Sequence, residues 1–365
     1  MPKNSQKEIK DIIVYADFLN LSNTHINEII NKLNIDIPQG IDPRVYLYSI
    51  KNMLFNNDEV KKIIENRIFA GRTSVKWYRF NYKNISIDEI IENLESAENY
   101  YNDMLEANTN NLHFSGKYTC IKKGDNSYII RVMVPTDIKI SDNGIIYDKI
   151  TTVSNVYTEV NLERKIIEIR TSGRNAEKII EDIYVPLGFE NIVEIDILGR
   201  YNGDIEVFKN SLNKGKFIDV TSKPLVNIEI TPEINQLLVN VLQSIDNYFL
   251  TNNIEKLNEE LHNINFNEII SDIELDNIPF TQLLLAGMST IGMGTREDIQ
   301  EDLSNQPLNS LLKEYMNNQS GFINFILECD SKSYTIQVGV TTNSINFRTY
   351  STEECIGYIR NMTIG

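Results

Sequence analysis

The sequence predicts an α+β protein, in which an N-terminal small helical bundle is followed by two mixed α+β units with antiparallel strand meanders. Three observations support this fold class. Apolar residues recur at helical spacing in the first 68 residues, strand-like runs separated by turn signals begin at Thr73, and strands return near Phe322 after a second helical stretch. The 365 residues, of which 41% are hydrophobic, are enough to bury more than one core.

The first predicted unit is the helical bundle, which we assign to residues 1–68. Ile26 and Ile29 lie at helical spacing behind Ser22 and Asn23, either of which is suited to cap the first turn of a helix. Further apolar residues at the same spacing predict about four helices in this stretch. A helical module is therefore expected at the start of the chain.

The second predicted unit is an α+β domain over residues 69–198. Ser86 and Glu89 form a capping-box pattern at the head of a helix. Alternating strands follow, with a turn signal at Gly124-Asp125-Asn126 between the first two of them. The order of elements predicts a strand meander beside one or two helices.

The third predicted unit is an acidic α+β domain with a helical insertion, residues 199–365. Thr231 followed by Pro232 is an N-cap with a first-turn proline, and it opens a long amphipathic helix. Three strands come next, and Ser351 with Glu354 predicts a capping box on a final helix. This order resembles that of the second unit, which leaves a distant duplication as a hypothesis.

Charge differs strongly between the two halves of the chain, whose total is −16. Met1 to Pro186 carries 24 basic and 26 acidic residues, a net of −2. Leu187 to Gly365 carries 11 basic and 25 acidic residues, a net of −14. Since nucleic-acid binding depends on neutralising phosphates, the composition disfavours it for the second half and allows it for the first. We expect a protein partner or self-association for the acidic half.

Cysteine usage and hydropathy predict a cytoplasmic protein without a membrane segment. Three cysteines at wide spacing fit reduced thiols better than a disulfide framework. The first ten residues lack the apolar run of a signal peptide, and polar residues interrupt the most apolar window, 278–294. The many Ile, Asn and Lys residues are typical of an AT-rich genome, and on that context we hypothesise a role in a bacterial mobile-element or phage-defence system.

Cations and aromatic residues are interleaved from Arg67 to Lys83, with no acidic residue between them. Cations neutralise phosphates and aromatic faces stack on bases, so this mixture is typical of nucleic-acid surfaces. The alternative is a half-buried strand whose aromatic residues, including the single tryptophan, lie in the core. The candidate nucleic-acid-binding residues, with two lysines of the following hairpin, are Arg72, Lys76, Trp77, Arg79, Lys83, Lys122 and Lys123.

A second candidate is an anion site between a predicted strand and a predicted helix, formed by Arg170, Ser172 and Arg174. Backbone N–H groups at a helix start, with arginines beside them, can hold a phosphate or carboxylate. The alternative is an ordinary strand-to-helix turn with a polar cap. The segment has neither the lysine of a phosphate-binding loop nor a dinucleotide fingerprint.

Clustered acids suggest an alternative function, a metal-dependent nuclease or another enzyme of phosphodiester chemistry, because paired carboxylates can hold Mg²⁺. Two clusters qualify: Glu194, Asp196, Glu206 and Lys209, and Glu328, Asp330 and Lys332. The second cluster is most simply explained by a hairpin turn. Three scattered histidines give no zinc spacing, and the sequence assigns no catalytic residue, metal or cofactor.

These observations favour a non-enzymatic binding or regulatory protein. The central unit would bind nucleic acid or another anionic ligand, and the acidic C-terminal half would bind protein. A metal-dependent nuclease and a structural or assembly subunit of a protein complex are the alternative hypotheses.

Overall fold

A computed structural model describes residues 7–97, 118–142, 147–171, 173–225, 231–264, 279–285, 288–295, 301–317 and 320–365. The chain divides into two compact units. Unit 1 contains residues Met1–Gly215 and Asn324–Gly365, and unit 2 contains Lys216–Ile323. The helices and strands are defined below before each unit is described by itself.

The described residues form eleven strands. They are β1 (Ser74–Tyr82), β2 (Tyr118–Gly124), β3 (Ser127–Asp142), β4 (Tyr147–Asn161), β5 (Ile166–Arg170), β6 (Phe189–Glu194), β7 (Lys216–Ser222), β8 (Ile291–Gly294), β9 (Phe322–Cys329), β10 (Lys332–Gly339) and β11 (Ser344–Phe347).

Thirteen α-helices are formed over the same ranges. They are α1 (Tyr15–Leu19), α2 (Asn23–Leu33), α3 (Pro43–Ser49), α4 (Lys51–Leu54), α5 (Asp58–Glu65), α6 (Ile87–Ser96), α7 (Gly173–Ile179), α8 (Ile205–Ser211), α9 (Pro232–Thr251), α10 (Ile254–Asn263), α11 (Phe280–Leu285), α12 (Pro307–Leu312) and α13 (Glu353–Ile364). Helices and antiparallel strands in these proportions confirm the predicted α+β class.

The N-terminal helices α1 to α5 form the predicted bundle within unit 1. The Ser22 side chain caps α2, and the Asn57 side chain caps α5 by accepting from two backbone N–H groups. Phe18, Ile29 and Leu47 lie in the core of the bundle, each fully buried. The bundle is therefore closed around an apolar centre of its own.

The sheet of unit 1 runs in the order β2-β3-β4-β5-β1-β11-β10-β9, and β6 pairs with the later half of β1. Every described strand pair is antiparallel. The predicted turn between β2 and β3 is confirmed, since Asp125 and Asn126 are the two residues that join them. β1 lies between β5 on one side and β11 and β6 on the other, so it is a central strand.

The two compact units differ from the three predicted segments. Val75 in β1 pairs with Ile345 in β11, so residues assigned to the second and third predicted units share one sheet. The helical bundle also belongs to unit 1, and unit 2 is an insertion in the chain between α8 and Asn324 of β9. Sequence spacing gives no signal for a strand pairing between residues 270 positions apart, which is why composition placed the boundaries elsewhere.

One face of the sheet packs against α6 and α7 around a large apolar core. Tyr128, Ile130 and Tyr184 are fully buried there, with Ile90 of α6 and Ile179 of α7. A third helix, α13, buries Cys355, Ile356 and Ile359. The helices thus cover the sheet and hold its strands away from water.

Besides Ser22, helix caps follow the sequence signals at two of the three other predicted positions. Ser86 accepts from the backbone N–H of Glu89, and Thr231 accepts from that of Ile234. The prediction for the last helix was wrong by one residue: Thr352, not Ser351, caps α13. The Ser351 hydroxyl instead donates to the carbonyl oxygen of Gly71 at 2.7 Å.

In unit 2, β7 and β8 form an antiparallel pair, with Val220 opposite Met293. The long helix α9 buries Ile234, Leu237, Leu238 and Val241, and it packs against α10. Unit 2 is thus mainly helical in the residues that are described. No helix of the described residues is long and apolar enough to cross a membrane.

Candidate anion-binding site

The middle of the aromatic and basic segment forms part of the core. Trp77 is fully buried, and its indole Nε1 donates to Glu168 Oε2 at 2.8 Å. Lys76 is only 7% exposed and forms an ion pair with Glu194. Successive side chains point to opposite faces of a strand and both of these are buried, so neither is available to a nucleic acid.

The other residues of that candidate surface are exposed but do not converge. Lys122 pairs with Glu95 at 3.6 Å, and Lys123 pairs with Glu159 at 2.9 Å. Arg79 is exposed and lines an open cavity of about 530 Å³, and Lys83 is exposed just after the end of β1. Arg72, at the opposite end of β1, lines a different cavity.

Arg170, from the second candidate site, belongs to a buried ionic network. Its Nε donates to Glu168 Oε1 at 2.8 Å, and its NH2 donates to Glu353 Oε2 at 3.0 Å. Arg360 donates to the same Glu168 through Nε at 2.5 Å. The carboxylates thus largely compensate the positive charge of Arg170. Of the other two candidates, Arg174 is exposed in the first turn of α7, and Ser172 lies outside the described residues.

The network fixes the ionisation of its acids. Burial disfavours the charged form of Glu168, but Arg360 and Arg170 outweigh burial and lower the pKa of that carboxyl. Burial likewise opposes ionisation of Glu353, and Arg170 holds its pKa below the ordinary value. Because Glu353 begins α13, the network ties this helix to β5 and to Trp77 in β1, which is a structural role.

The strongest candidate site lies where the helical bundle meets β1. A π-helical turn, Asn66–Ala70, continues α5 and ends at Gly71, whose φ is +60°. A β-carbon on Gly71 would lie 3.2 Å from the carbonyl oxygen of Arg67, so glycine allows this tight turn. The carbonyl oxygen of Gly71 accepts from the N–H of Ser351, which brings the neighbouring Tyr350 to the turn.

Two arginines converge on Tyr350 as a result. The guanidinium carbons of Arg67 and Arg72 lie 4.0 Å and 4.9 Å from the centroid of its ring. Arg67 also donates to the Tyr350 hydroxyl at 3.1 Å and to the carbonyl oxygen of Asn20 at 2.9 Å. Cation–π contacts and these hydrogen bonds hold the two side chains in place before any ligand arrives. We call Arg67, Arg72 and Tyr350 the arginine–tyrosine cluster.

The cluster borders a polar cavity of about 290 Å³. Its wall contains three arginines and no carboxylate among the described residues: Arg67, Arg72 and Arg170. Arg170 is already paired, but neither of the other two has a carboxylate within 4.0 Å in the part of the chain that is described. Asn155 also lines the cavity, and its Oδ1 is buried without a hydrogen-bond partner. A protein with a net charge of −16 therefore concentrates uncompensated positive charge at this point.

Besides burial, the positive charge of the cluster lowers the pKa of His25. Burial lowers the pKa of this histidine, and the nearby charges of Arg67 and Lys332 lower it further. Its Nδ1 lies 2.8 Å from the hydroxyl of Ser22 at the start of α2. The helical bundle thus contributes a titratable group close to the arginine–tyrosine cluster.

Acids of the two predicted clusters form an ion pair and a turn. Glu206 pairs with Lys209 at 2.7 Å, one turn apart on α8. Asp330 and Ser331 have φ values of +49° and +61° and form the turn between β9 and β10, which confirms the hairpin interpretation. Over the described ranges, no group of three His, Cys, Asp or Glu side chains could hold a metal ion.

The sequence did not predict that Tyr350 joins the two arginines of the arginine–tyrosine cluster. Arg67 and Arg72 lie in the segment singled out from the sequence, but Tyr350 follows Arg67 by 283 positions. No local pattern indicates that Tyr350 or Asn155 joins them. The one available signal was the pair of cations around Gly71, which is weak by itself.

No protein-family model, curated protein or solved structure matches the chain.

Proposed function

We propose that this protein binds a phosphate-bearing polyanion, with nucleic acid as the ligand class, through the arginine–tyrosine cluster. The observation that carries the proposal is the convergence of Arg67 and Arg72 on one tyrosine, beside a cavity that has no carboxylate among its described lining residues. Guanidinium groups form bidentate hydrogen bonds with phosphate oxygens, and their hydrogen bonds to charged acceptors are the strong ones.

The geometry favours phosphate contacts over base stacking. The ring of Tyr350 is 47% exposed but already carries the two guanidinium groups, so it serves mainly to orient them. Two oriented cations can hold one phosphate or two successive phosphates of a strand. Contacts of this kind supply affinity without sequence preference, so the protein acts by recognition of the backbone.

The matched control comes from the other end of β1. Arg79 and Lys83 are exposed, and replacing both removes the same two charges as replacing Arg67 and Arg72. We would measure fluorescence anisotropy of labelled single-stranded DNA, single-stranded RNA and duplex DNA with the wild type, Arg67→Ala/Arg72→Ala and Arg79→Ala/Lys83→Ala. Thermal melting checks that each variant folds.

The proposal predicts that the Arg67→Ala/Arg72→Ala variant binds about 100-fold more weakly, because each lost charge-assisted contact costs about 1.4 kcal/mol or more. The Arg79→Ala/Lys83→Ala variant should bind within about threefold of the wild type, since only long-range attraction changes. Equal losses in both variants, or no binding of any of the three nucleic acids by the wild type, would contradict the proposal.

A further inference from the structure

The long helix α9 exposes an apolar stripe in addition to its buried face. Four exposed apolar residues lie within an arc of about 100° around the helix axis, given about 100° per residue. They are Val239 at 39% exposure, Leu242 at 39%, Phe249 at 77% and Leu250 at 84%. Such large exposed side chains clustered on one helix face mark an interaction surface.

The next helix extends this surface. Ile254, the first residue of α10, is 53% exposed and follows α9 after a short turn through Asn252, whose φ is +51°. None of the residues of α10 is fully buried, although Leu257 and Leu261 continue the apolar spacing of Ile254. We call Val239, Leu242, Phe249, Leu250 and Ile254 the apolar stripe.

Acidic residues accompany the apolar stripe. Unit 2 contains 16 acidic and 5 basic residues, a net of −11 in its 108 positions. Between Thr231 and Ile264 there are five acids and one lysine, and that lysine, Lys256, pairs with Glu260 at 3.7 Å. Asp246 is exposed, and helical spacing places it within the arc of the stripe. The surface is thus apolar and carries negative charge within and beside the stripe.

An apolar stripe among acidic residues favours one class of binding partner. A second copy of the chain would place acids against acids, and like charges in contact oppose association. Nucleic acid is repelled by the same charge. A helix with an apolar face flanked by lysines or arginines matches both features, because its apolar residues cover the stripe while its cations pair with the acids.

We infer that the apolar stripe of α9 and α10 is the docking site for a basic amphipathic helix of a partner protein. The stripe on α9 spans twelve residues from Val239 to Leu250, about 17 Å along the axis, which corresponds to about three turns of the bound helix. The inference rests on unit 2 alone, and the arginine–tyrosine cluster belongs to unit 1. Its outcome is therefore independent of the proposed nucleic-acid binding.

The test uses three synthetic helical peptides with the full-length protein. The first peptide has leucines along one face and lysines elsewhere, the second has glutamates in place of the lysines, and the third keeps the lysines but has serines in place of the leucines. The protein variants are Phe249→Ser/Leu250→Ser and a matched control, Leu308→Ser/Leu311→Ser, which alters two residues of unit 2 that are 58% and 53% exposed. Circular dichroism and thermal melting check the fold.

The expected result is that the leucine–lysine peptide binds the wild type and the control equally. Its Kd should rise at least tenfold in Phe249→Ser/Leu250→Ser, since truncating central apolar contacts of an interface has effects of about this size. The glutamate peptide should not bind. The inference would be overturned if the serine–lysine peptide bound as tightly as the leucine–lysine peptide, or if Phe249→Ser/Leu250→Ser left the Kd unchanged. It would also be overturned if the wild type formed a dimer in sedimentation velocity that Phe249→Ser/Leu250→Ser dissociates.

Discussion

The ion pair between Asp17 and Arg131 should hold the helical bundle on the sheet of unit 1. Arg131 in β3 is fully buried, and its NH1 and NH2 donate to the two carboxylate oxygens of Asp17 in α1 at 2.7 Å and 2.8 Å. Its guanidinium carbon also lies 5.0 Å from the ring centroid of Tyr157 in β4. The perturbation that we consider is Asp17→Ala, which removes one partner and leaves the other in place.

The magnitude follows from burial. A guanidinium that is fully buried and loses its carboxylate cannot be solvated without opening the interface, so the free energy of unfolding should fall by about 3–5 kcal/mol. Replacing both partners by apolar residues, as in Asp17→Leu/Arg131→Met, should recover most of that loss, because no unpaired charge remains. The two variants together separate the unpaired charge from the loss of contact area.

Urea unfolding followed by tryptophan fluorescence measures this directly, since the single tryptophan, Trp77, is buried in unit 1. The exposed pair of Lys32 and Glu59 is the control, and Lys32→Ala should leave the midpoint unchanged. A loss of less than about 1 kcal/mol in Asp17→Ala would refute the reasoning. It would mean that water reaches Arg131 and that the bundle is held to the sheet by other contacts.

Three further predictions concern titratable groups. Burial opposes ionisation of Glu168, but its two arginine partners lower its pKa below the ordinary 4.5. Its contribution to the free energy of unfolding should therefore be complete above pH 4.5 and be lost as the pH falls below that value. Glu168→Gln should flatten this loss in acid-unfolding curves, and an equally steep loss in the variant would contradict the assignment. Burial raises the pKa of the Cys120 thiol to about 12, so a thiol reagent at pH 8 should label it only after urea unfolding, and rapid labelling of the folded protein would count against its burial. Burial and the charge of Arg67 lower the pKa of His25, so an oligonucleotide bound at the arginine–tyrosine cluster should raise that pKa in an NMR titration, whereas an unchanged value would place the ligand elsewhere.

Local features of the fold were predictable because neighbouring residues determine them. The Asp125-Asn126 turn follows from the types of its own residues, and the caps at Ser86 and Thr231 follow from the residues within the next turn of helix. The cap was wrongly assigned to Ser351, whose hydroxyl bonds to Gly71, a residue 280 positions earlier. The local pattern thus located the start of the helix but not the residue that caps it.

The candidate site was only partly predictable because long-range contacts form it. The aromatic and basic pattern from Arg67 to Lys83 is shared by exposed surfaces and by buried strands. Tertiary packing decides between them, and it buries Trp77 against Glu168. Arg67 and Arg72 remain accessible because they flank the turn at Gly71, outside the strand. Their meeting with Tyr350 depends on the antiparallel pairing of β1 with β11, which no local spacing encodes.

The salt dependence of nucleic-acid binding tests the central claim most directly. Each phosphate contact on a single strand contributes about 0.7 to the slope of log K against log salt concentration. We predict that Arg67→Ala/Arg72→Ala has a slope shallower than the wild type by about 1.4, while Arg79→Ala/Lys83→Ala keeps the wild-type slope. A slope that is the same in all three proteins would show that Arg67 and Arg72 do not contact phosphates, which contradicts the proposed site.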